Sequence, residues 1–236
     1  MFLKPEYYFL LLWFFLIPTN SWSDETTNAE APAVEVPTAV APSPSIFDDK
    51  QQLNGFTERY KQEPVEVILA MIKDETLDAY RTAAAVRVFR EKYIDQVFSR
   101  EKIILEKTLL RRLSHTDSAF LEVEIMHTLC RLNRYKYFNS MVPALIQKLD
   151  HYNSTVDELA YLGLKDLTDQ EPTKPREARI IFSSLRKMLF LSRRRLVNVN
   201  EPNQQLQQKL ELLRWAIKIL GTEELNRLPK EVIHLL

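Results

Sequence analysis

Residues 64–73 read Pro-Val-Glu-Val-Ile-Leu-Ala-Met-Ile-Lys, an apolar segment whose pattern returns twice further along the chain. An offset of 37 residues relates three sets of apolar positions: Ile68, Leu105 and Val142; Ile72, Leu109 and Ile146; and Val88, Ile125 and Leu162. A fixed period of this kind predicts stacked helical repeats. Each repeat would bury its apolar face against its neighbours and leave a long surface for partners.

The composition favours helices and excludes glycine-rich nucleotide-binding loops. The 236 residues include three glycines, Gly55, Gly163 and Gly221, which are scattered along the chain. Phosphate loops and dinucleotide fingerprints need clustered glycines, because the backbone there takes positive φ values and approaches the ligand closely. So few turn-forming residues also argue against an all-β fold, and the abundant Leu, Glu, Arg, Lys and Ala suit helices. We therefore expect an all-α protein.

The charge balance and the cysteine content exclude two further classes. The formal net charge is zero, and from Asp48 onward 31 bases face 27 acids. This small excess does not indicate nucleic-acid binding, and no recognition module is present. Cys130 is the only cysteine, so the chain forms no intramolecular disulfide. Its apolar neighbours predict a small buried residue, and no activating base for a reactive thiol is evident.

The N-terminal 47 residues are predicted to lie outside the folded domain. Residues 1–23 resemble a secretory signal peptide, with Lys4 before an apolar run at 7–18 and small residues before Asp24. A retained N-terminal membrane anchor is the alternative. Residues 24–47 contain four prolines among small and acidic residues, which predicts an extended or disordered linker. We expect export to the periplasm or the exterior and a helical domain over 48–236.

The predicted domain is a series of helix pairs between a short N-terminal helix and a C-terminal cap. The N-terminal helix covers 48–61 and points Leu53 and Phe56 inward. The predicted pairs are 64–73 with 76–93, a helix capped by Ser99 with one capped by Thr116 or Asp117 and ending near Leu132, 135–149 with 154–167, and 176–196 with 203–220. Gly221 is expected to end the last pair.

Two segments resemble the second helix of HEAT or armadillo-type repeats. Residues 156–164 read Val-Asp-Glu-Leu-Ala-Tyr-Leu-Gly-Leu, with Ala160 and Gly163 at small positions, and residues 79–86 read Ala-Tyr-Arg-Thr-Ala-Ala-Ala-Val. The resemblance covers about residues 64–167. It implies a right-handed α-solenoid of about four antiparallel helix pairs that binds proteins. Tetratricopeptide repeats are the nearest competitor, but their Trp, Gly and Tyr positions are absent.

The residues that could support catalysis or metal binding do not form a recognisable site. Glu124 with His127 and Glu231 with His234 have the Glu-x-x-His spacing of carboxylate metal sites. On a helix whose apolar face is centred on Ile125, His127 lies about 160° from that face and is expected to point to solvent. We therefore expect no catalytic residues, no metal and no cofactor. A metal-dependent enzyme with an unrecognised site stays as an alternative.

The most uneven charge lies between residues 174 and 195, where eight bases face the single acid Glu177. One interpretation is a solvated helix face whose last bases meet the negative helix end. The other is a site for an acidic protein, a lipid headgroup or a glycan. The residues proposed for partner binding are Arg179, Arg186, Lys187, Arg193, Arg194 and Arg195.

These observations predict an exported, non-enzymatic helical-repeat protein that binds another protein as a scaffold or adaptor. The alternative is a membrane- or envelope-associated protein that binds anionic headgroups or glycans through the basic helix at 174–195. No nucleic-acid partner is expected.

Overall fold

The computed structural model describes residues 49–170, 174–197, 199 and 201–236. The predicted signal peptide and linker lie outside these ranges. Within them all regular secondary structure is helical and there is no strand, which confirms the all-α prediction. No helix in the described ranges is both long and apolar enough to cross a membrane.

The described residues form ten α-helices, and α3 continues into a π-helical turn at Phe89–Tyr93. A 3₁₀ segment, Thr222–Arg227, precedes the last helix. The helices are α1 (Asp49–Tyr60), α2 (Val65–Lys73), α3 (Ala79–Val88), α4 (Ser99–His115), α5 (Ala119–Leu132), α6 (Arg134–Lys148), α7 (Ser154–Asp169), α8 (Pro175–Leu196), α9 (Gln204–Leu220) and α10 (Lys230–Ile233).

Several helices that are adjacent in the chain pack against each other. Helix α2 packs on α3, α4 on α5, α6 on α7 and α8 on α9. Helix α5 packs on α6 as well, and further contacts join α3 to α5, α5 to α7 and α6 to α8. Helix α1 packs along α3, and of the two residues predicted to point inward Leu53 is buried and Phe56 half-buried.

Side-chain caps set where several helices begin. Asp78 accepts a hydrogen bond from the Arg81 backbone N–H at 3.0 Å, and Asn203 accepts one from Leu206 at 2.9 Å. These contacts satisfy backbone donors that have no partner inside the helix. Gly221 has φ 104 and ends α9, as predicted.

Two predicted caps are wrong by one or two residues. Phe98, rather than Ser99, occupies the N-cap position of α4, and the Glu101 carboxylate accepts from its backbone N–H at 3.3 Å. Ser118, rather than Thr116 or Asp117, caps α5, accepting from the Leu121 backbone N–H. Both segments offer several polar residues that could cap a helix, so the sequence does not single out the one that the chain uses.

The 37-residue period fails at Leu162, whose residue surface is 51% exposed. The buried face of α7 is formed by Val156, Ala160, Leu164 and Leu167. At 100° per residue, Leu162 lies about 155° from the centre of that face. The predicted inward position of Leu162 is therefore wrong, and its side chain is available at the surface.

Candidate functional site

An open cleft of about 490 Å³ crosses α1, α3, α5 and α7. We call it the central cleft. Helix α1 forms one wall, and α1 also reaches α7, where the Lys50 ammonium donates to Glu158 at 2.7 Å and the Asn153 side-chain amide donates to Asp49 at 2.5 Å. Helix α1 thus lies along one side of the surface formed by α3, α5 and α7, and the cleft is the space between them.

The floor of the central cleft holds a buried charge cluster in which two arginines share one carboxylate. Arg87 donates to Glu124 Oε1 through Nε at 2.8 Å and Nη2 at 2.6 Å, and Arg90 donates to Oε2 at 2.5 Å. Glu124 is 2% exposed. Burial alone would raise the pKa of Glu124, but the charges of Arg90 and Arg87 outweigh it and hold this pKa at about 2. The Glu124 carboxyl group is therefore ionised at neutral pH.

The 37-residue repeat period explains where this charge cluster lies. Arg87 and Glu124 are 37 residues apart, so they occupy corresponding positions on α3 and α5, which pack together. Arg90 lies in the π-helical turn at Phe89–Tyr93 that continues α3. Arg87 also donates to the Asn54 side chain on α1 at 3.0 Å, which extends the cluster across three helices.

His127 lies beside this cluster and joins α5 to α7. Its Nε2 lies 2.7 Å from Asp166 Oδ2, and the residue is 6% exposed. Burial and the charge of Arg90 lower the pKa of His127 to about 4, although the Asp166 hydrogen bond acts in the opposite direction. At neutral pH the imidazole is therefore uncharged and donates its Nε2–H to Asp166.

The prediction that His127 points to solvent is wrong. Helix α5 packs against α3, α4, α6 and α7, and every residue from Val123 to Cys130 is buried. Four neighbouring helices cover most of the surface of α5, so the angle from one apolar stripe does not predict exposure. Cys130 is buried as predicted, and burial raises the pKa of its thiol to about 12.

Gly163 explains how the imidazole fits against α7. A Cβ at this position would lie 3.1 Å from His127 Nδ1, closer than ordinary van der Waals contact. The small residue that the repeat resemblance singles out thus makes room for His127. Because Nδ1 faces the α7 backbone, the imidazole of His127 joins two helices, while the Asp166 carboxylate stays partly exposed in the central cleft.

A double-mutant cycle tests this fit. Gly163→Ala alone is expected to change stability little, because the helix-propensity gain of about 1 kcal/mol is offset by crowding of His127. In a His127→Ala background the crowding is removed, so Gly163→Ala is expected to stabilise the protein by about 1 kcal/mol. Urea unfolding of the four proteins measures the coupling. Equal effects of Gly163→Ala in both backgrounds would contradict the proposed contact.

The rim of the central cleft carries charges of both signs and one exposed apolar side chain. Lys50 pairs with Glu158, and Arg131 lies 3.5 Å from Asp166, while Glu91 is exposed. Leu162, which the repeat period predicts to be in the core, lines the same cleft. The rim thus combines charges of both signs with an apolar side chain and is neither uniformly basic nor uniformly acidic.

Among the described residues, no three His, Cys, Asp or Glu side chains are grouped so that they could hold a metal ion. In the first Glu-x-x-His pair, Glu124 is engaged by two arginines and His127 by Asp166. The second pair splits at the C-terminus, where Glu231 is half-buried and His234 is exposed. The expectation that the chain has no catalytic residue or cofactor stays a prediction.

The basic residues predicted for partner binding lie on α8, away from the central cleft. Arg179, Arg186, Lys187, Arg194 and Arg195 are exposed. Arg193 is half-buried, and its guanidinium carbon lies 3.9 Å from the centre of the Phe190 ring on the same helix. The structure therefore separates two surfaces, the central cleft and the outward face of α8.

Sequence reasoning missed the residues that form the central cleft. The opposite charges of Arg87 and Glu124, one repeat apart, are a signal from which their ion pair could have been predicted. Asp166 carries no such signal, because it is offset from His127 by 39 residues rather than 37. Comparison of the chain with protein-family models, with curated proteins and with solved structures gives no match.

Proposed function

We propose that the chain is an exported, non-enzymatic helical-repeat protein that binds another protein as a scaffold or adaptor. Its fold would be a right-handed α-solenoid of about four antiparallel helix pairs, similar to HEAT repeats. The pairwise packing of α2 with α3, α4 with α5, α6 with α7 and α8 with α9 supports this architecture. The signal-like segment at 1–23 supports export.

The observation that carries the binding proposal is the central cleft itself. It exposes Leu162 between charged groups of opposite sign, with Lys50 and Arg131 as the bases and Glu91, Glu158 and Asp166 as the acids. With Arg87, Arg90 and Glu124 of the buried charge cluster included, the lining holds four bases and four acids, so a polyanion finds no net positive charge there. A polypeptide segment can match both signs and cover the leucine, since protein interfaces combine an apolar centre with a polar rim.

The natural ligand is therefore expected to be an extended segment of a partner protein with an apolar residue flanked by charges. Extended peptides gain affinity when one apolar side chain is buried and the flanking charges set the register. Helix α1 and helix α7, tied together by the Lys50–Glu158 ion pair, would hold the two sides of such a segment.

Selection of peptides from a random display library with the full chain tests the proposal. Enriched peptides are expected to bind at least about tenfold more weakly to Leu162→Asp, because the charge opposes burial of an apolar side chain. Phe98→Asp is the matched control, since Phe98 is 79% exposed at the N-cap of α4 and lies outside the central cleft. Failure to enrich any peptide, or equal loss in both variants, would contradict peptide binding at this cleft.

A further inference from the structure

The outward face of α8 contains bases and exposed apolar side chains but no exposed acid. Between Pro175 and Leu196 the helix has seven arginines and lysines and one acid, Glu177. Glu177 is 8% exposed and accepts two hydrogen bonds of 2.8 Å from Arg134 on α6. The acid is thus neutralised inside the fold, and its charge does not reach the outward face.

The inward face of α8 anchors the helix firmly to the protein. Ala178, Ile181, Phe182, Leu185, Leu189 and Leu196 are buried, and the helix packs on α6, α9 and α10. Whatever binds the outward face therefore meets a fixed helix rather than one that inserts as a whole.

The exposed apolar residues lie in the C-terminal half of α8 and immediately after it. Phe190 is 53% exposed, Leu191 is 78% exposed and Val197 is 58% exposed. At 100° per residue, Arg186, Lys187, Phe190, Leu191 and Arg194 fall within an arc of about 140°. Large apolar side chains and bases therefore share one surface, which we call the basic–apolar face.

We propose that the basic–apolar face docks on a membrane surface that contains anionic phospholipids. The phosphates neutralise the bases, while Phe190, Leu191 and Val197 enter the boundary between headgroups and acyl chains. This combination of a basic helix surface with Phe and Leu is what interfacial helices use. A glycan or a hydrophilic acidic polypeptide would satisfy the bases but would leave three large apolar side chains exposed to water.

The contact places α8 parallel to the membrane plane. Arg179 and Arg194 are 15 residues apart, which corresponds to about 22 Å along the helix, so the bases reach several headgroups at once. None of the residues that line the central cleft belongs to α8, so a partner could occupy that cleft while the protein is on the membrane.

A fluorescent label on α8 tests the proposal. The full-length chain with Leu191→Cys is labelled with an NBD maleimide, and Cys130 does not compete because it is fully buried. Vesicles of phosphatidylcholine with about one-third phosphatidylglycerol are expected to increase the emission and shift it to shorter wavelength. Phosphatidylcholine vesicles alone are expected to have no effect, and about 0.5 M NaCl should weaken the response by screening.

Two variants control this experiment. Arg186→Glu, Lys187→Glu and Arg194→Glu together are expected to lower partition into the anionic vesicles by about a hundredfold. The same label at Phe98→Cys should not respond, because Phe98 is exposed on α4 rather than α8. The label at position 191 reports on α8 itself, whichever other segment of the chain reaches the membrane.

Three results would overturn the proposal. The first is an unchanged spectrum with anionic vesicles, and the second is an equal response to neutral vesicles or after the triple charge reversal. The third is a response to heparin or polyglutamate without a response to vesicles, which would assign the basic–apolar face to a soluble polyanion.

Discussion

Replacing Glu124 with glutamine is expected to lower the free energy of unfolding by about 3–5 kcal/mol. The carboxylate is 2% exposed and compensates two guanidinium groups, those of Arg87 and Arg90, whose side chains are 11% and 10% exposed. Glutamine keeps the shape and one acceptor but removes the negative charge, so two buried positive charges remain without a counter-charge. Urea unfolding at pH 7, followed by circular dichroism, measures the loss.

Glu75→Gln is the matched control for this prediction. Glu75 also pairs with an arginine, Arg111, but the two side chains are 61% and 58% exposed. Water screens such a pair, so its loss is expected to change stability by less than about 1 kcal/mol. If Glu124→Gln were no more destabilising than Glu75→Gln, the buried cluster would not contribute as its geometry indicates.

Acidification is expected to destabilise the protein in two steps, the first of which depends on His127. Its pKa is about 4 in the folded protein and near 6.5 when unfolded. Between these pH values the unfolded chain binds a proton that the folded protein does not, so stability falls as the pH falls from about 6.5 to about 4. Over this whole pH range the free energy of unfolding is expected to fall by roughly 3 kcal/mol.

The second step belongs to Glu124, whose folded pKa of about 2 lies below its ordinary value of 4.5. Its contribution is present above pH 4.5 and is lost as the pH falls toward 2. The lowered pKa values of Asp166 and Glu177 act in the same direction and in the same low range. The interval from pH 6.5 to about 5 therefore isolates the contribution of His127 from that of the carboxylates.

His127→Gln is the variant that separates the two steps. The amide nitrogen of glutamine can replace Nε2 as a donor to Asp166 and does not titrate. The variant is expected to lose the pH dependence of stability between about 6.5 and 5 and to keep the steep loss below about pH 4.5. Urea unfolding midpoints at several pH values measure the loss of stability in each pH range. If the midpoint of His127→Gln still fell with decreasing pH above about pH 5 as in the original protein, His127 would not be the group responsible.

The apolar period predicts which residues of the first six periodic positions are buried. Ile68, Leu105 and Val142 are all buried, and so are Ile72, Leu109 and Ile146. The same logic fails at Leu162, because α7 turns a different face inward. One shared offset describes helices that pack alike, and it fails once a helix rotates about its own axis.

The candidate sites are harder to predict than the fold. A single apolar stripe on α5 predicts that His127 faces solvent, whereas four helices surround α5 and bury the imidazole. On α8 the sequence reveals the bases, but it does not show that Leu191 and Phe190 point outward with them. An amphipathic pattern predicts which side of a helix is most buried. How much of the helix circumference is buried depends on how many other helices pack against it.

The bridge from α1 to α7 affects how the protein would unfold. A simple stack of repeats has contacts only between neighbours, so it can lose end units one at a time. Here Lys50 and Asp49 contact Glu158 and Asn153, more than 100 residues away, and the Arg87–Glu124 and His127–Asp166 pairs link the helices between them. Because each of the helices α1, α3, α5 and α7 is joined to another of the four by charged or hydrogen-bonded side chains, we expect them to unfold together rather than one at a time.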